Sequence, residues 1–82
     1  MIESKETLVA NFLRLAADYE KVQNPVTGID LDDAIVRLRR YILTHEKDEA
    51  LARDLYDLGK LIRKLDMPTY SALLVRIRAA LS

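Results

Sequence analysis

The sequence has no cysteine and contains only two glycines and two prolines. Without cysteine there is neither a disulfide framework nor a thiolate, which agrees with a reducing compartment. So few glycines and prolines leave few tight turns, and they favour long helices over a many-stranded β fold. We therefore expect a helical protein.

The sequence also lacks an excess of charge of one sign and long apolar runs. Its 13 basic and 13 acidic residues cancel, so it gives no strong signal for binding nucleic acid or anionic membranes. No apolar run approaches the roughly 20 residues of a membrane span, and the opening MIESKETLV lacks the apolar region of a secretory signal. We expect a cytoplasmic protein that does not span a membrane.

No arrangement of residues typical of catalysis or of a cofactor site is present. His45 is the only histidine, and with Glu46 and Asp48 beside it the segment falls short of the several Cys or His ligands of a structural zinc site. Gly28 and Gly59 are too few to form a phosphate-binding loop. The sequence therefore predicts a non-catalytic protein with no metal and no cofactor.

What the sequence does contain is apolar residues at helical spacing in four segments. At 82 residues the chain fits one domain, 1–82. A recurrence every three or four positions places each stripe on one face of an α-helix. Four such helices joined by short links predict an all-α, antiparallel four-helix bundle. The expected core contains Leu8, Phe12, Leu15, Leu38, Ile42, Leu55, Leu58, Ile62, Leu73 and Ile77.

The boundaries of the first two helices are predicted from capping residues. Ser4 is a candidate N-cap of the first helix. The segment QNPVTG, residues 23–28, is expected to end it, because Pro25 favours extended geometry in its predecessor and Gly28 can adopt positive φ. The second helix is then expected to begin at Asp30.

Three acidic residues follow at this expected helix start. Asp30 would accept hydrogen bonds from free backbone N–H groups, and Asp32 and Asp33 would lie in the positively polarised first turn. The 12-residue pattern of a calcium-binding loop, with its central glycine and terminal glutamate, is absent. Helix capping is therefore the expected role of these acids.

Two further boundaries separate the last three helices. The polar run THEKDE, residues 44–49, predicts a tight turn with Thr44 or Asp48 capping the third helix, and one continuous helix over 30–66 stays an alternative. Pro68 lacks an N–H and clashes with the preceding turn, so the third helix must stop near Leu65, and a fourth begins at Met-Pro. Within the third helix, Gly59 is expected to allow close approach of another helix.

A second apolar line lies on the second helix, away from its core stripe. Val36 and Leu43 are seven residues apart. Such a line is either packed by a neighbouring helix or offered to a partner, so both are candidate partner-binding residues. The arginines within 37–40 spread around the polar side, and Asp33 is expected to pair with Arg37, which favours a solvated face over a phosphate-binding ridge.

The apolar positions of the second to fourth helices, about two thirds of the chain, include Leu31, Ala34, Leu38, Leu51, Leu55, Leu58, the Met67-Pro68 junction, Tyr70, Leu74 and Ile77. These positions resemble those of small bacteriocin immunity proteins of the enterocin A type. The resemblance implies a cytoplasmic antiparallel four-helix bundle that protects a bacteriocin producer without catalysis. Members bind at the inner side of the mannose phosphotransferase permease once bacteriocin has engaged it.

In that family the C-terminal half tends to set specificity, so the resemblance implies recognition on the fourth helix and the 64–70 corner. The implied partner is a membrane permease complex. The candidate partner-binding residues are Lys64, Asp66, Thr69, Arg76 and Arg78.

The pattern also resembles, more loosely, that of the small helical biofilm and acid-resistance regulators of enteric bacteria. It implies a dimer connected to signalling or DNA, although the balanced charge argues against direct DNA binding. An interaction module of another family is a third alternative. A protein partner is expected in each case, and a homodimer is left open.

Overall fold

The computed structural model describes residues 4–81, which form four α-helices and no strand. Residues 1–3 lie outside the described residues. They belong to the opening segment in which the sequence predicted no secretory signal. The helices form a ring in which each contacts the next and the fourth contacts the first, so the predicted four-helix bundle is confirmed. They are α1 (Lys5–Lys21), α2 (Pro25–Tyr41), α3 (Glu49–Lys64) and α4 (Met67–Leu81), with a π-helical turn at Ile42–Glu46.

Contacts between distant residues fix the directions of the helices. The Nη2 atom of Arg63, at the end of α3, lies 3.6 Å from Oδ2 of Asp32 in the first half of α2. Tyr70, near the start of α4, donates a 2.9 Å hydrogen bond to the carbonyl of Ala16 near the end of α1. Neighbouring helices are therefore antiparallel, as expected for short connections.

The start of α1 was predicted correctly and the start of α2 was not. Ser4 caps α1 and accepts from the Thr7 N–H at 3.2 Å. The second helix begins at Pro25 because Asn24 caps it and accepts from the Thr27 N–H at 2.9 Å, while Thr27 accepts from the Asn24 N–H at 3.2 Å. Pro25 fits the first helical position because the N–H it lacks would be unpaired there.

This earlier start overturns the roles assigned to the acidic residues. Asp30, Asp32 and Asp33 lie in the second and third turns of α2, too far from its start to cap it. Gly28 is helical and does not adopt positive φ. The expected Asp33 pair is confirmed, with Nε of Arg37 3.0 Å from its Oδ2. Capping of α2 therefore does not explain the positions of these three acidic residues.

The connection between α2 and α3 is a tight turn, as predicted. The N–H of Lys47 donates to the carbonyl of Ile42 at 2.7 Å, which closes the π-helical turn, and Lys47 has a left-handed φ of 53°. Asp48 then caps α3 and accepts from the Leu51 N–H at 3.1 Å. The alternative of one continuous helix is wrong because Lys47 reverses the chain.

The corner between α3 and α4 explains the Met-Pro sequence. The N–H of Asp66 donates to the carbonyl of Leu61 at 3.2 Å, and Leu65 has a left-handed φ of 57°, a position usually taken by glycine. Asp66 also caps α4, because its Oδ1 accepts from the Thr69 N–H at 3.3 Å. With Pro68 at the second helical position, Met-Pro ends one helix and starts another, as predicted.

The core lies between the inner faces of the four helices. Two predicted core residues, Leu15 and Leu73, are only half-buried, because each lies one position before the residue that faces the centre, Ala16 or Leu74. Gly59 is buried, and a Cβ there would lie 3.3 Å from Oδ1 of Asp32, so the expected close approach of a helix is confirmed. The buried side chains are Leu8, Phe12, Ala16, Tyr19, Leu31, Ala34, Ile35, Leu38, Ile42, Leu51, Ala52, Leu55, Leu58, Ile62, Tyr70, Leu74 and Ile77.

Two buried tyrosines join helices that are distant in sequence. The rings of Tyr19 and Tyr70 have centroids 5.5 Å apart and are tilted by 59°. The Tyr19 hydroxyl donates to the carbonyl of Ile62 at 3.4 Å. Burial raises the pKa of Tyr70 above its usual value, and the nearby carboxylate of Glu20 raises that pKa further. The core therefore holds Tyr70 in its neutral form.

Candidate functional site

The predicted recognition residues of the C-terminal half lie on separate parts of the surface. Lys64, Thr69 and Arg76 line one groove between α3 and α4. Asp66 is used as the cap of α4. Arg78 points to α1 instead, where its Nη2 lies 3.9 Å from a carboxylate oxygen of Glu20. The structure thus brings three of these five residues together.

This α3–α4 groove has a volume of about 430 Å³ and combines an apolar floor with a cationic rim. Leu61 and Leu73 are half-buried and form the floor, while Lys64 is exposed at the rim. Such a combination can bury a small apolar side chain and pair with acidic groups around it. The lining residues are Asp57, Lys60, Leu61, Lys64, Thr69, Ala72, Leu73 and Arg76.

Arg76 is held in place at the rim by an ion pair with α3. Its Nε and Nη2 atoms donate to the two carboxylate oxygens of Asp54, at 3.1 and 2.7 Å. The hydrogen bonds to this carboxylate raise the pKa of the Arg76 guanidinium, so the group stays charged. The bidentate geometry orients the guanidinium along the groove wall.

A second groove, between α2 and α3, is built around Tyr56. It has a volume of about 240 Å³, and Val36 forms part of its wall. The guanidinium carbon of Arg39 lies 5.3 Å from the centroid of the Tyr56 ring, and Nζ of Lys60 lies 4.7 Å from it. Both cations are within the distance of a favourable cation–π contact, so they hold the exposed ring between them. Because Lys60 lines both grooves, α3 carries a cationic ridge between them.

The side of α2 that faces away from the core exposes apolar residues among charged ones. Val26 and Ile29 are 67% and 69% exposed, and Val36 and Leu43 are 38% and 44% exposed. The second apolar line predicted from Val36 and Leu43 is therefore only partly covered, and Val36 also lines the groove between α2 and α3. The line is longer than predicted, because Val26 and Ile29 belong to α2 and not wholly to a loop.

Within residues 4–81, no group of three or more His, Asp or Glu side chains could hold a metal ion. His45 lies in the π-helical turn against Tyr41, with the ring centroids 4.5 Å apart. In the same part of the chain, no helix has the length and apolar character needed to cross a bilayer.

Sequence reasoning missed part of each surface. Tyr56 was not among the predicted site residues, and its contact with Arg39 joins two helices. Val26 and Ile29 were missed because Pro25 was interpreted as the end of a helix. The pattern of Asn24 and Thr27 around that proline, a capping box, is the signal that would have corrected this.

Comparison of the chain with protein-family models, with curated proteins and with solved structures finds no match. A proposal for the function therefore depends on the surfaces themselves and on the resemblance described above.

Proposed function

We propose that this protein is a non-catalytic binding domain that recognises a protein partner through the α3–α4 groove. The observation that carries the proposal is the apolar floor and cationic rim in one groove of about 430 Å³. Protein interfaces have this arrangement, in which a desolvated apolar centre supplies affinity and a polar rim orients the partner.

The charge of the groove indicates the kind of partner. Lys60, Lys64 and Arg76 line it together with one acid, Asp57. Because Arg76 is paired with Asp54, the cationic charge offered to a partner comes from the two lysines. An acidic segment with one or two apolar side chains complements this charge, because like charges across an interface cost several kcal/mol. We therefore expect a partner segment that places an apolar side chain on Leu61 and Leu73 and carboxylates near the rim.

The specific function that we propose is bacteriocin immunity in the cytoplasm, at the inner side of a mannose phosphotransferase permease. The resemblance to enterocin A type immunity proteins supports this function. The groove supports it as well, since Lys64, Thr69 and Arg76 were expected to take part in recognition and all three line it.

The test is expression of the protein in a bacteriocin-sensitive host that is then exposed to a panel of pediocin-like peptides. Ala72→Glu places an acidic side chain in the groove, where it repels an acidic partner, at an exposed position that leaves the core intact. Val75→Glu is the matched control, because Val75 is an exposed residue of α4 that does not line the groove. We expect protection by the wild type and by Val75→Glu, and loss of protection in Ala72→Glu.

Two outcomes separate the specific proposal from the general one. If the wild type is folded and expressed but protects against no peptide, the immunity function is wrong. A pull-down from native membranes and cytosol then tests for a partner that binds the wild type and Val75→Glu but not Ala72→Glu. If every captured protein binds all three equally, the α3–α4 groove is not the recognition site.

A further inference from the structure

The groove between α2 and α3, called the α2–α3 groove below, contains two cations without an acidic partner. Within residues 4–81, neither Arg39 nor Lys60 forms a hydrogen bond or an ion pair, and each contacts the ring of Tyr56 instead. Both side chains line the groove, Arg39 from α2 and Lys60 from α3. Their positive charges are therefore available to an anion from outside the chain.

Arg39 is unusual among the basic residues because it is half-buried. Within the described part of the chain, Lys5 is the one other basic residue of this burial, and it pairs with Glu46. A cation partly removed from water loses hydration, and a nearby anion compensates for that loss. Arg39 has no such anion among residues 4–81. Its position therefore indicates a negatively charged ligand.

The ring of Tyr56 orients the two cations and leaves their charge unchanged. A phenol ring attracts a cation through its π face but brings no negative charge. The charged groups of Arg39 and Lys60 both lie within about 6 Å of the ring centroid, so one small anion can reach both. The N–H groups at the edge of a guanidinium can donate to its oxygens while the face stays on the ring.

The charge of the groove indicates which anion fits. Three bases and one acid line it: Arg39, Lys60, Arg63 and Asp32. Asp32 is engaged by Arg63, whose Nη2 lies 3.6 Å from its Oδ2, so two positive charges remain. A phosphate monoester carries a charge of about −1.5 to −2 at pH 7 and matches them, whereas a carboxylate supplies one charge only.

The size and walls of the groove limit the rest of the ligand. The volume of about 240 Å³ is below the roughly 300–1,000 Å³ of pockets for drug-sized ligands. Ile35 and Val36 supply an apolar part of the wall. These features suit one phosphate group that carries a small apolar substituent.

We propose that the α2–α3 groove binds small phosphate monoesters. Arg39 and Lys60 hold the phosphate oxygens, and the apolar substituent lies against Val36. This site is separate from the function proposed for the α3–α4 groove, because Arg39 does not line that groove. A substitution at Arg39 therefore tests the phosphate site alone.

Phenyl phosphate is the probe, added to the isotope-labelled protein in low-salt buffer while amide chemical shifts are followed by NMR. We expect saturable shifts around Arg39 and Lys60 with a dissociation constant of about 1 mM or below. Benzenesulfonate has the same ring but a single negative charge, so it should bind at least fivefold more weakly. Inorganic phosphate should also bind more weakly, because it has no substituent to place on the apolar wall.

Matched variants test whether the groove, and not the general charge of the surface, holds the phosphate. Arg39→Gln and Arg40→Gln remove the same charge from adjacent positions of α2, and only Arg39 lines the groove. Lys60→Gln and Lys64→Gln form the same kind of pair on α3. Arg39→Gln and Lys60→Gln should each weaken binding about tenfold, and each control should change it less than twofold.

An acid in the groove provides a test with the opposite sign. Asp32→Asn removes the negative charge that faces the ligand and releases Arg63 from its ion pair. Phenyl phosphate should therefore bind several-fold more tightly to this variant than to the wild type. Weaker binding to a folded Asp32→Asn protein would contradict the assigned roles of the charges.

Four results would overturn the proposal. They are an absence of saturable shifts up to about 20 mM phenyl phosphate, equal weakening in Arg39→Gln and Arg40→Gln, benzenesulfonate that binds as tightly, or inorganic phosphate that binds as tightly. Circular dichroism checks that each variant is folded. If Arg39→Gln does not fold, Lys60→Gln and Lys64→Gln decide the question, because both lysines are exposed.

Discussion

The outer surfaces of α2 and α3 differ although their inner surfaces are alike. Both helices bury a row of leucine, isoleucine and alanine in the core. On its outer side α3 exposes charged residues such as Arg53 and Lys60, whereas α2 exposes Val26 and Ile29. The bundle needs the two buried apolar rows in order to fold, and charged residues on the outer side suit its exposure to solvent. Packing within the described chain does not explain the exposed apolar side chains of α2.

The largest expected effect compares two leucines, one on each kind of surface. Leu58 of α3 is fully buried, and Leu43 after α2 is 44% exposed. Leu58→Ala should cost about 2–5 kcal/mol of unfolding free energy because it leaves a cavity, and Leu55→Ala should behave similarly. Leu43→Ala should stay within about 0.5 kcal/mol, as surface substitutions do. Chemical denaturation at low protein concentration measures both, and equal losses would contradict the assignment of the faces.

Two tyrosines, one buried and one exposed, provide a second comparison of the inner and outer surfaces. The Tyr70 hydroxyl donates to the Ala16 carbonyl at 2.9 Å inside the bundle. Tyr70→Phe should lower the free energy of unfolding by about 0.5–1.5 kcal/mol, the usual net contribution of such a bond. Tyr56→Phe on the exposed side removes no hydrogen bond found in the described chain and serves as the control. A larger loss in the control would show that Tyr56, and not Tyr70, supports the fold.

The same tyrosine gives the stability of the protein a dependence on alkaline pH. The fold raises the pKa of Tyr70, whereas the unfolded chain releases this proton near pH 10. The contribution of the neutral phenol is therefore complete below pH 10 and is lost as the pH rises from there through the folded-state pKa. Lys5, whose pKa is raised by its hydrogen bond to Glu46, adds a loss of the same sign in every variant. Wild-type stability should fall more steeply than that of Tyr70→Phe above pH 10, and parallel curves would contradict this cause.

The two glycines provide a smaller test, one on each helix. A Cβ at Gly28 of α2 would make ordinary contacts, 3.6 and 3.7 Å from atoms of Tyr19 and Ile62. Gly28→Ala should therefore stabilise the protein by about 0.5–1 kcal/mol. Gly59→Ala on α3 should gain less, because its Cβ would lie 3.3 Å from Oδ1 of Asp32. Thermal melting compares them, and the reverse order would show that the two helices do not approach closely at Gly59.

The smallest expected effect concerns the only histidine. His45→Ala removes a ring contact with Tyr41 in the exposed turn after α2 and should change the unfolding free energy by no more than about 0.5 kcal/mol. Melting with and without a chelator should give the same result for both proteins. A chelator-sensitive melting temperature that is lost in His45→Ala would reveal a metal site.

The sequence allowed most of the fold to be predicted because the signals are local. Apolar spacing identifies the four helices, and the caps at Ser4 and Asp48 and the Met-Pro boundary each involve residues only a few positions apart. The start of α2 was missed because Pro25 ends some helices and begins others. The side chains of Asn24 and Thr27 decide between these roles, and the apolar pattern alone does not contain that information.

The surfaces were less predictable because they depend on contacts between distant residues. Arg76 and Asp54 form an ion pair although they are 22 residues apart, and no periodic pattern in the sequence predicts this pair. For the same reason, reversing the charges of Arg76 and Arg78 is not a clean test of recognition, since it would leave Asp54 and Glu20 facing like charges. Lys64 and Thr69 lie on either side of the Met-Pro corner, so their common place in the α3–α4 groove involves residues close in sequence.

The hydrogen bond that closes the ring of helices also bears on how quickly the chain folds. Most contacts of the bundle join helices adjacent in sequence, but Tyr70 and Ala16 are 54 residues apart. Closing a loop costs entropy that grows with its length, whereas local helical contacts form within microseconds to milliseconds. We therefore expect the contact between α1 and α4 to form last, so that Tyr70→Phe mainly accelerates unfolding. Stopped-flow measurements in denaturant test this order, and a slowed refolding rate would place this contact in the folding nucleus instead.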